Sequence, residues 1–106
     1  MRHLVITRTK DIFYSLPDER RMVLLEATSS YIDKYKRAGK FRRVYMVPGG
    51  GRAMVILDVD SHEEANRIAL ENPMLQFMEM ETYNLVEWDT YFKQMREAYA
   101  ELAAAR

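Results

Sequence analysis

Phe41-Arg42-Arg43-Val44-Tyr45-Met46-Val47, Pro48-Gly49-Gly50-Gly51 and Arg52-Ala53-Met54-Val55-Ile56-Leu57-Asp58-Val59 follow one another without a break. Two runs rich in β-branched and aromatic residues on either side of a glycine-rich segment predict a β-hairpin. Upstream, Leu24, Ala27, Thr28, Tyr31, Tyr35 and Ala38 recur at helical spacing until Gly39. A helix over 17–38 is expected, with Ser15 as a possible cap, Pro17 in its first turn and Lys34, Lys36 and Arg37 at its negative end. Downstream, Ser61-His62-Glu63-Glu64 reads as a capping box opening a helix that Asn72-Pro73 ends near Glu71. Residues 3–9 and 77–86 alternate as the first and fourth strands, and Asp89 is a candidate cap for a last helix carrying Tyr91, Phe92, Met95, Tyr99 and Leu102. The order strand–helix–strand–strand–helix–strand is the ferredoxin-like βαββαβ pattern. We therefore expect an α+β fold with one antiparallel sheet over residues 1–88 and a helical extension over 89–106.

The composition narrows the function classes. In 106 residues, sixteen Lys and Arg balance sixteen Asp and Glu. That balance argues against nucleic acid as the partner, which would call for a basic excess. Cysteine is absent, so thiol nucleophiles, disulfides and Cys-based metal sites are excluded. No apolar run approaches the length of a membrane span or a signal-peptide core, so a cytoplasmic chain is expected. The two histidines are far apart and on different elements, and His62-Glu63-Glu64 lacks the second histidine of a zinc-protease motif. No metal site is expected. Pro48-Gly49-Gly50-Gly51-Arg52 lacks the lysine–hydroxyl pair of a phosphate loop and opens no helix.

Alternation divides the sheet into two faces. Met78 and Met80, Leu4 and Ile6, Val44 and Met46, and Met54 and Ile56 are expected to face the helices. The other face would then carry His3, Val5 and Thr7; Phe41, Arg43, Tyr45 and Val47; Ala53, Val55 and Leu57; and Phe77, Glu79, Glu81 and Tyr83. So much apolar surface needs a cover. A second copy packed sheet to sheet would provide one, as would the C-terminal helix folded back within one chain. Glu79 and Glu81, two apart on a strand, point the same way with roots about 7 Å apart. Either could act as a proton-shuttling base with Arg43 or Tyr45 stabilising an oxyanion, or could form ion pairs. His3 is a third candidate base, or a strand-edge residue. The basic run Lys34, Lys36, Arg37, Lys40, Arg42 and Arg43 suits an anionic substrate or a solvated helix end. Tyr31 and Tyr35 are expected to pack, with a hydroxyl within reach of a cavity rim.

From Gly39 onward the chain resembles the muconolactone delta-isomerase family of dimeric α+β barrels. The resemblance lies in Arg37-Ala38-Gly39-Lys40-Phe41-Arg42-Arg43-Val44-Tyr45, in Val55-Ile56-Leu57-Asp58-Val59-Asp60-Ser61 and in Asn72-Pro73-Met74-Leu75-Gln76-Phe77-Met78-Glu79-Met80-Glu81. These blocks align without a gap from Gly39 to Leu85, and the likeness covers about four-fifths of the chain. It implies a homodimer or higher homo-oligomer, no metal or organic cofactor, no nucleic acid or membrane partner, and a small-molecule substrate. The family reaction moves a double bond in an unsaturated lactone by proton transfer. Three departures change the polar set. Thr28 stands where the family has its helix-one glutamate, and Glu26 lies about 200° around the helix from it. Arg43 stands where the family has histidine. Gly51 and Ala53 replace a tyrosine and an asparagine at the hairpin.

The expectation is thus an isomerase-like or cyclase-like enzyme acting on a small lactone or enone. Glu81, Glu79 and His3 are its candidate catalytic residues, and Arg43, Tyr45, Tyr83 and Thr28 its candidate substrate contacts. The alternatives are a non-catalytic binding or assembly protein on the same scaffold, and a cofactor-free monooxygenase-like or decarboxylating enzyme.

Overall fold

The computed structural model describes residues 1–105. The elements are β1 (Arg2–Thr9), α1 (Asp11–Tyr14), α2 (Asp18–Arg37), β2 (Phe41–Val47), β3 (Arg52–Asp58), α3 (His62–Leu70), β4 (Met78–Leu85) and α4 (Trp88–Ala104). The four strands form one antiparallel sheet in the order β2-β3-β1-β4. This is the α+β arrangement expected, with α2 and α3 on one face.

Local chemistry explains most boundaries. Gly39 adopts φ 75°, which lets Lys40 N–H reach the Tyr35 carbonyl and Gly39 N–H reach Lys36, closing α2. Ser61 Oγ accepts from Glu64 N–H at 3.1 Å, and Glu64 accepts in return from Asp60 N–H at 3.2 Å. Two cap expectations need correction. Ser15 does not cap α2; its hydroxyl donates to the Ile12 carbonyl at 2.6 Å and ends the short α1, while Pro17 precedes α2. Asp89 lies within the first turn of α4, and Glu87 occupies the cap position without a side-chain bond. Phe77 belongs to a single 3-10 turn before β4, where it meets Phe13 edge-on at 6.0 Å.

The larger correction concerns the two sheet faces. The register sets Phe41, Leu57 and His3 in one row; Val44, Val55, Val5 and Thr82 in the next; and Met46, Ala53, Thr7 and Met80 in a third. These rows face α2 and α3. The open face carries Arg43, Ile56, Leu4 and Tyr83 in one row and Tyr45, Met54, Ile6 and Glu81 in another. Hence the Val44, Met46, Met78 and Met80 positions are as expected, but β1 and β3 are turned over. Leu4, Ile6, Met54 and Ile56 lie outside the helix-facing core, and His3, Val5, Thr7, Ala53, Val55 and Leu57 lie inside it. Both faces of β1 and β3 are apolar, so alternation within each strand cannot say which way it points. Phe41 also changes side, because β2 is irregular between Phe41 and Arg43.

The core gathers Tyr35, Phe41, Leu57, Val59 and Ile68, with Tyr31 packed against it. Tyr31, Tyr35 and Phe41 form a triangle of ring contacts at 5.3–5.6 Å. The Tyr35 hydroxyl donates to Glu71, and Lys34 Nζ lies 3.4 Å from the same carboxylate. Lys40 Nζ pairs with Glu64 at 2.9 Å, so acids at α3 neutralise part of the basic run.

The Tyr35 bond holds the Glu71 carboxyl below its ordinary 4.5; burial opposes this and Lys34 assists. A carboxyl depressed in the folded state contributes stability that is complete above its unfolded value and lost as pH falls through the folded one. Glu71→Gln is therefore expected to flatten the loss of stability on acidification below about 4.5. Urea midpoints between pH 6 and pH 3 check this; curves parallel to those of the parent chain would contradict it.

α4 does not fold back over the open face. It has no buried residue, and the molecule extends over 65 × 28 × 23 Å. Its Cα radius of gyration is 18.2 Å, against about 13 Å for a compact chain of this size. Among the described residues, no helix is long and apolar enough to cross a membrane.

Candidate functional site

The helix layer does not close fully onto the sheet. A cavity of 390 Å³ remains between α2, α3 and the inward face of all four strands. Small side chains leave it empty: Ala65 and Ala69 on α3 oppose Ala53 on β3 and Gly51 at the hairpin. Leu25 and Met46 line it while staying 45% and 64% exposed, which marks its mouth beside the hairpin.

Its polar groups are hydroxyls and amides. Thr7, Thr9 and Thr82 contribute from the sheet, Thr28 and Tyr31 from α2, and Asn66 and Asn72 from α3 and the segment after it. No lining residue carries a carboxylate, an ammonium, a guanidinium or an imidazole. The Tyr31 hydroxyl donates to the Ile68 carbonyl at 2.5 Å, and burial pushes its pKa well above the ordinary range. It therefore stays protonated at neutral pH. Thr28 donates to the Leu24 carbonyl at 2.8 Å, which leaves its oxygen free to accept. Asn72 Oδ1 accepts from Met74 N–H at 2.9 Å, and that bond does not use its amide hydrogens.

The candidate residues separate into three places. Thr28 lies on the cavity wall. His3 is buried on the helix side, 3% exposed, with its ring 6.0 Å from that of His62 and Nδ1 lacking a protein partner. Glu79, Glu81, Tyr83, Arg43 and Tyr45 all lie on the open face, as alternation along β2 and β4 predicts. His3 does not join them there. Within the open face, Arg43 and Tyr45 are on edge strand β2, and Glu79, Glu81 and Tyr83 are on edge strand β4. Three strand spacings separate the two groups, about 14 Å. On β4, Glu81 accepts from the Tyr83 hydroxyl at 2.6 Å, and Glu79 pairs with Arg8 at 2.8 Å. One chain therefore does not bring Arg43 or Tyr45 to either carboxylate.

The cavity hydroxyls and amides, Thr28 and Tyr31 apart, were not legible as a site. The available signal was the run of small residues facing inward, Ala53, Ala65 and Ala69, which fill too little space between a helix and a sheet. Among the described residues, no group of three or more His, Asp or Glu side chains converges to hold a metal.

The family model of muconolactone delta-isomerase matches residues 1–90. The chain belongs to the muconolactone delta-isomerase family. A solved structure of muconolactone isomerase superposes with a TM-score of 0.71 at 20% identity, covering 82% of this chain and 90% of that one. At that identity the likeness carries the fold. No curated protein matches. The family match ends at residue 90, so nearly all of α4 lies beyond it.

Proposed function

We propose that this member of the muconolactone delta-isomerase family encloses a small, uncharged, oxygen-bearing molecule of the lactone or enone kind in the cavity between helices and sheet. It does so without a metal or organic cofactor. The observation that supports this reading is the complete lack of charged lining around 390 Å³ of space. A carboxylate ligand would lose its hydration there and meet no counter-ion, at a cost of several kcal/mol. A neutral carbonyl keeps its hydrogen bond, because the hydroxyls of Thr7, Thr9 and Thr82 and the amides of Asn66 and Asn72 are donors in the lining, and its apolar body is covered by Val5, Val44, Val55 and Met80.

The test is a titration of neutral γ-lactones and cyclic enones against their ring-opened carboxylates, followed by native mass spectrometry. Retention of the neutral forms at least ten times more strongly is expected. Equal or preferred retention of the anions would overturn the reading.

A second reading places the substrate and the chemistry on the open face instead. The open face is positive along its β2 side, at Arg43, and negative along its β4 side at Glu81, Glu79 being paired with Arg8. A homodimer with the two sheets face to face brings the β2 side of one copy against the β4 side of the other. Arg43 and Tyr45 of one copy then meet Glu81 and Tyr83 of the second, in a chamber dried by Leu4, Ile6, Met54 and Ile56. Glu81 moves the proton of an isomerase-like or cyclase-like step, and Arg43 holds the developing enolate. Deuterium incorporation from D₂O into a turned-over lactone is the measurement. Glu81→Gln is expected to slow it at least 100-fold, a typical worth for a positioned base. An unchanged rate in both Glu81→Gln and Glu79→Gln removes the open face from the chemistry.

A further inference from the structure

The cavity between helices and sheet differs from one edge of the sheet to the other. α2 joins β1 to β2 and so passes over β3; α3 joins β3 to β4 and so passes over β1. The cavity runs beneath both helices and reaches exposed residues at each edge. Met46 of β2 and Leu25 of α2 stand at one, and Thr82 of β4 and Asn66 of α3 at the other. Three strand spacings separate the two edges, about 14 Å.

The two halves offer a ligand different chemistry. On α2, β2 and β3 the polar side chains of the lining are Thr28 and Tyr31, and each spends its hydroxyl hydrogen on a carbonyl, Leu24 and Ile68 respectively. The remaining donors, Thr7 and Thr9 on β1, Thr82 on β4, Asn66 on α3 and Asn72 just after it, all belong to the other half. The β2 edge is apolar out to solvent. Met46 is 64% exposed and Leu25 45%, and Met22, one turn before Leu25, is 54% exposed. Scattered apolar residues on a surface are ordinary, but these continue an apolar wall from inside the cavity to its mouth. A volume of 390 Å³ is in the range of pockets that hold drug-sized ligands, with room for more than a bare lactone ring.

We propose that the ligand is a neutral carbonyl compound with an apolar tail. Its oxygenated ring lies against the donors of β1, β4 and α3, and its hydrocarbon chain runs beneath α2 and leaves between Leu25 and Met46. The reverse orientation would leave the carbonyl without a donor and press hydrocarbon onto hydroxyls and amides that need partners. The inference rests on the enclosure of a neutral lactone or enone proposed above, and adds the tail and the direction of binding.

The experiment has two arms, both on the full chain. Calorimetry compares γ-lactones bearing a methyl, a butyl and an octyl group. Affinity is expected to rise about three- to fourfold per methylene while the chain lies under α2, at least tenfold from methyl to butyl, and to level off once it passes the mouth. The second arm exploits the absence of cysteine. Met46→Cys and Thr82→Cys each place a single thiol at one exposed edge of the cavity. A γ-lactone whose chain ends in an iodoacetamide is expected to alkylate Met46→Cys at least ten times faster than Thr82→Cys, after division by the rates with free iodoacetamide, because only there does binding bring the two groups together. A methyl lactone that binds with no gain from the longer chains overturns the tail and leaves the enclosure standing. A gain with chain length but equal or faster alkylation of Thr82→Cys overturns the direction. Retention of none of the lactones overturns both this inference and the enclosure on which it rests.

Discussion

Ala69→Phe is expected to abolish retention of a neutral lactone while the protein stays folded. Ala69 sits on α3 across the cavity from Ala53, and both line space that no side chain fills. An aromatic ring placed there occupies the volume the ligand needs. Filling an existing void adds contacts without displacing the core, and such changes commonly stabilise by about 0.5–2 kcal/mol. The expected result is therefore a split: affinity falls at least 100-fold, about 2.7 kcal/mol, while the melting temperature holds or rises by a few degrees. Calorimetric titration and a thermal scan of the same sample check both halves. Undiminished affinity in this variant would place the ligand elsewhere, and the open face would be the next location to test.

Ile68→Ala has the opposite signature. Ile68 is 2% exposed and lies in the cluster with Tyr35, Phe41, Leu57 and Val59. Truncation loses the transfer energy of three carbons and leaves a hole that the neighbouring aromatic triangle cannot easily close, at about 2–5 kcal/mol. Domains of this size are stable by only about 5–15 kcal/mol. A fall in melting temperature of about 15 °C follows from about 3 kcal/mol at the usual conversion. The denaturant midpoint is expected to move down with an unchanged slope, since the surface exposed on unfolding is the same. A shift under about 3 °C, less than 1 kcal/mol by the same conversion, would mean that the helix–sheet contact carries far less than its burial implies. The two residues are neighbours on α3 and both line the cavity, so the contrast separates filling its space from removing the packing that borders it.

The relative phase of the strands was the least legible feature of the fold. Glycine at Gly39 and the hairpin, the Ser61 box and the Asn72-Pro73 stop each act on a few neighbouring residues, so their effect is readable from those residues alone. In β4 the inward methionines alternate with Glu79 and Glu81, and the charged residues settle the direction of the strand. In β1, Leu4-Val5-Ile6 offers no such contrast, nor does Met54-Val55-Ile56-Leu57 in β3. Only hydrogen-bond register, fixed by all four strands together, decides that Val5 and Val55 face the helices while Leu4 and Ile56 do not. His3 follows β1 to the helix side, which separates it from the carboxylates it was expected to join.

The chain's own order of residues determined the element sequence, the family and the residues that carry charge on β4, because those depend on local conformation and composition. Only the tertiary structure decided that Thr28 meets a cavity without charge, that Arg43 and Glu81 stand at opposite edges of one face, and that α4 departs from the body. Each of these depends on distances between segments far apart in sequence, and side-chain alternation along a single strand has no information about its partner.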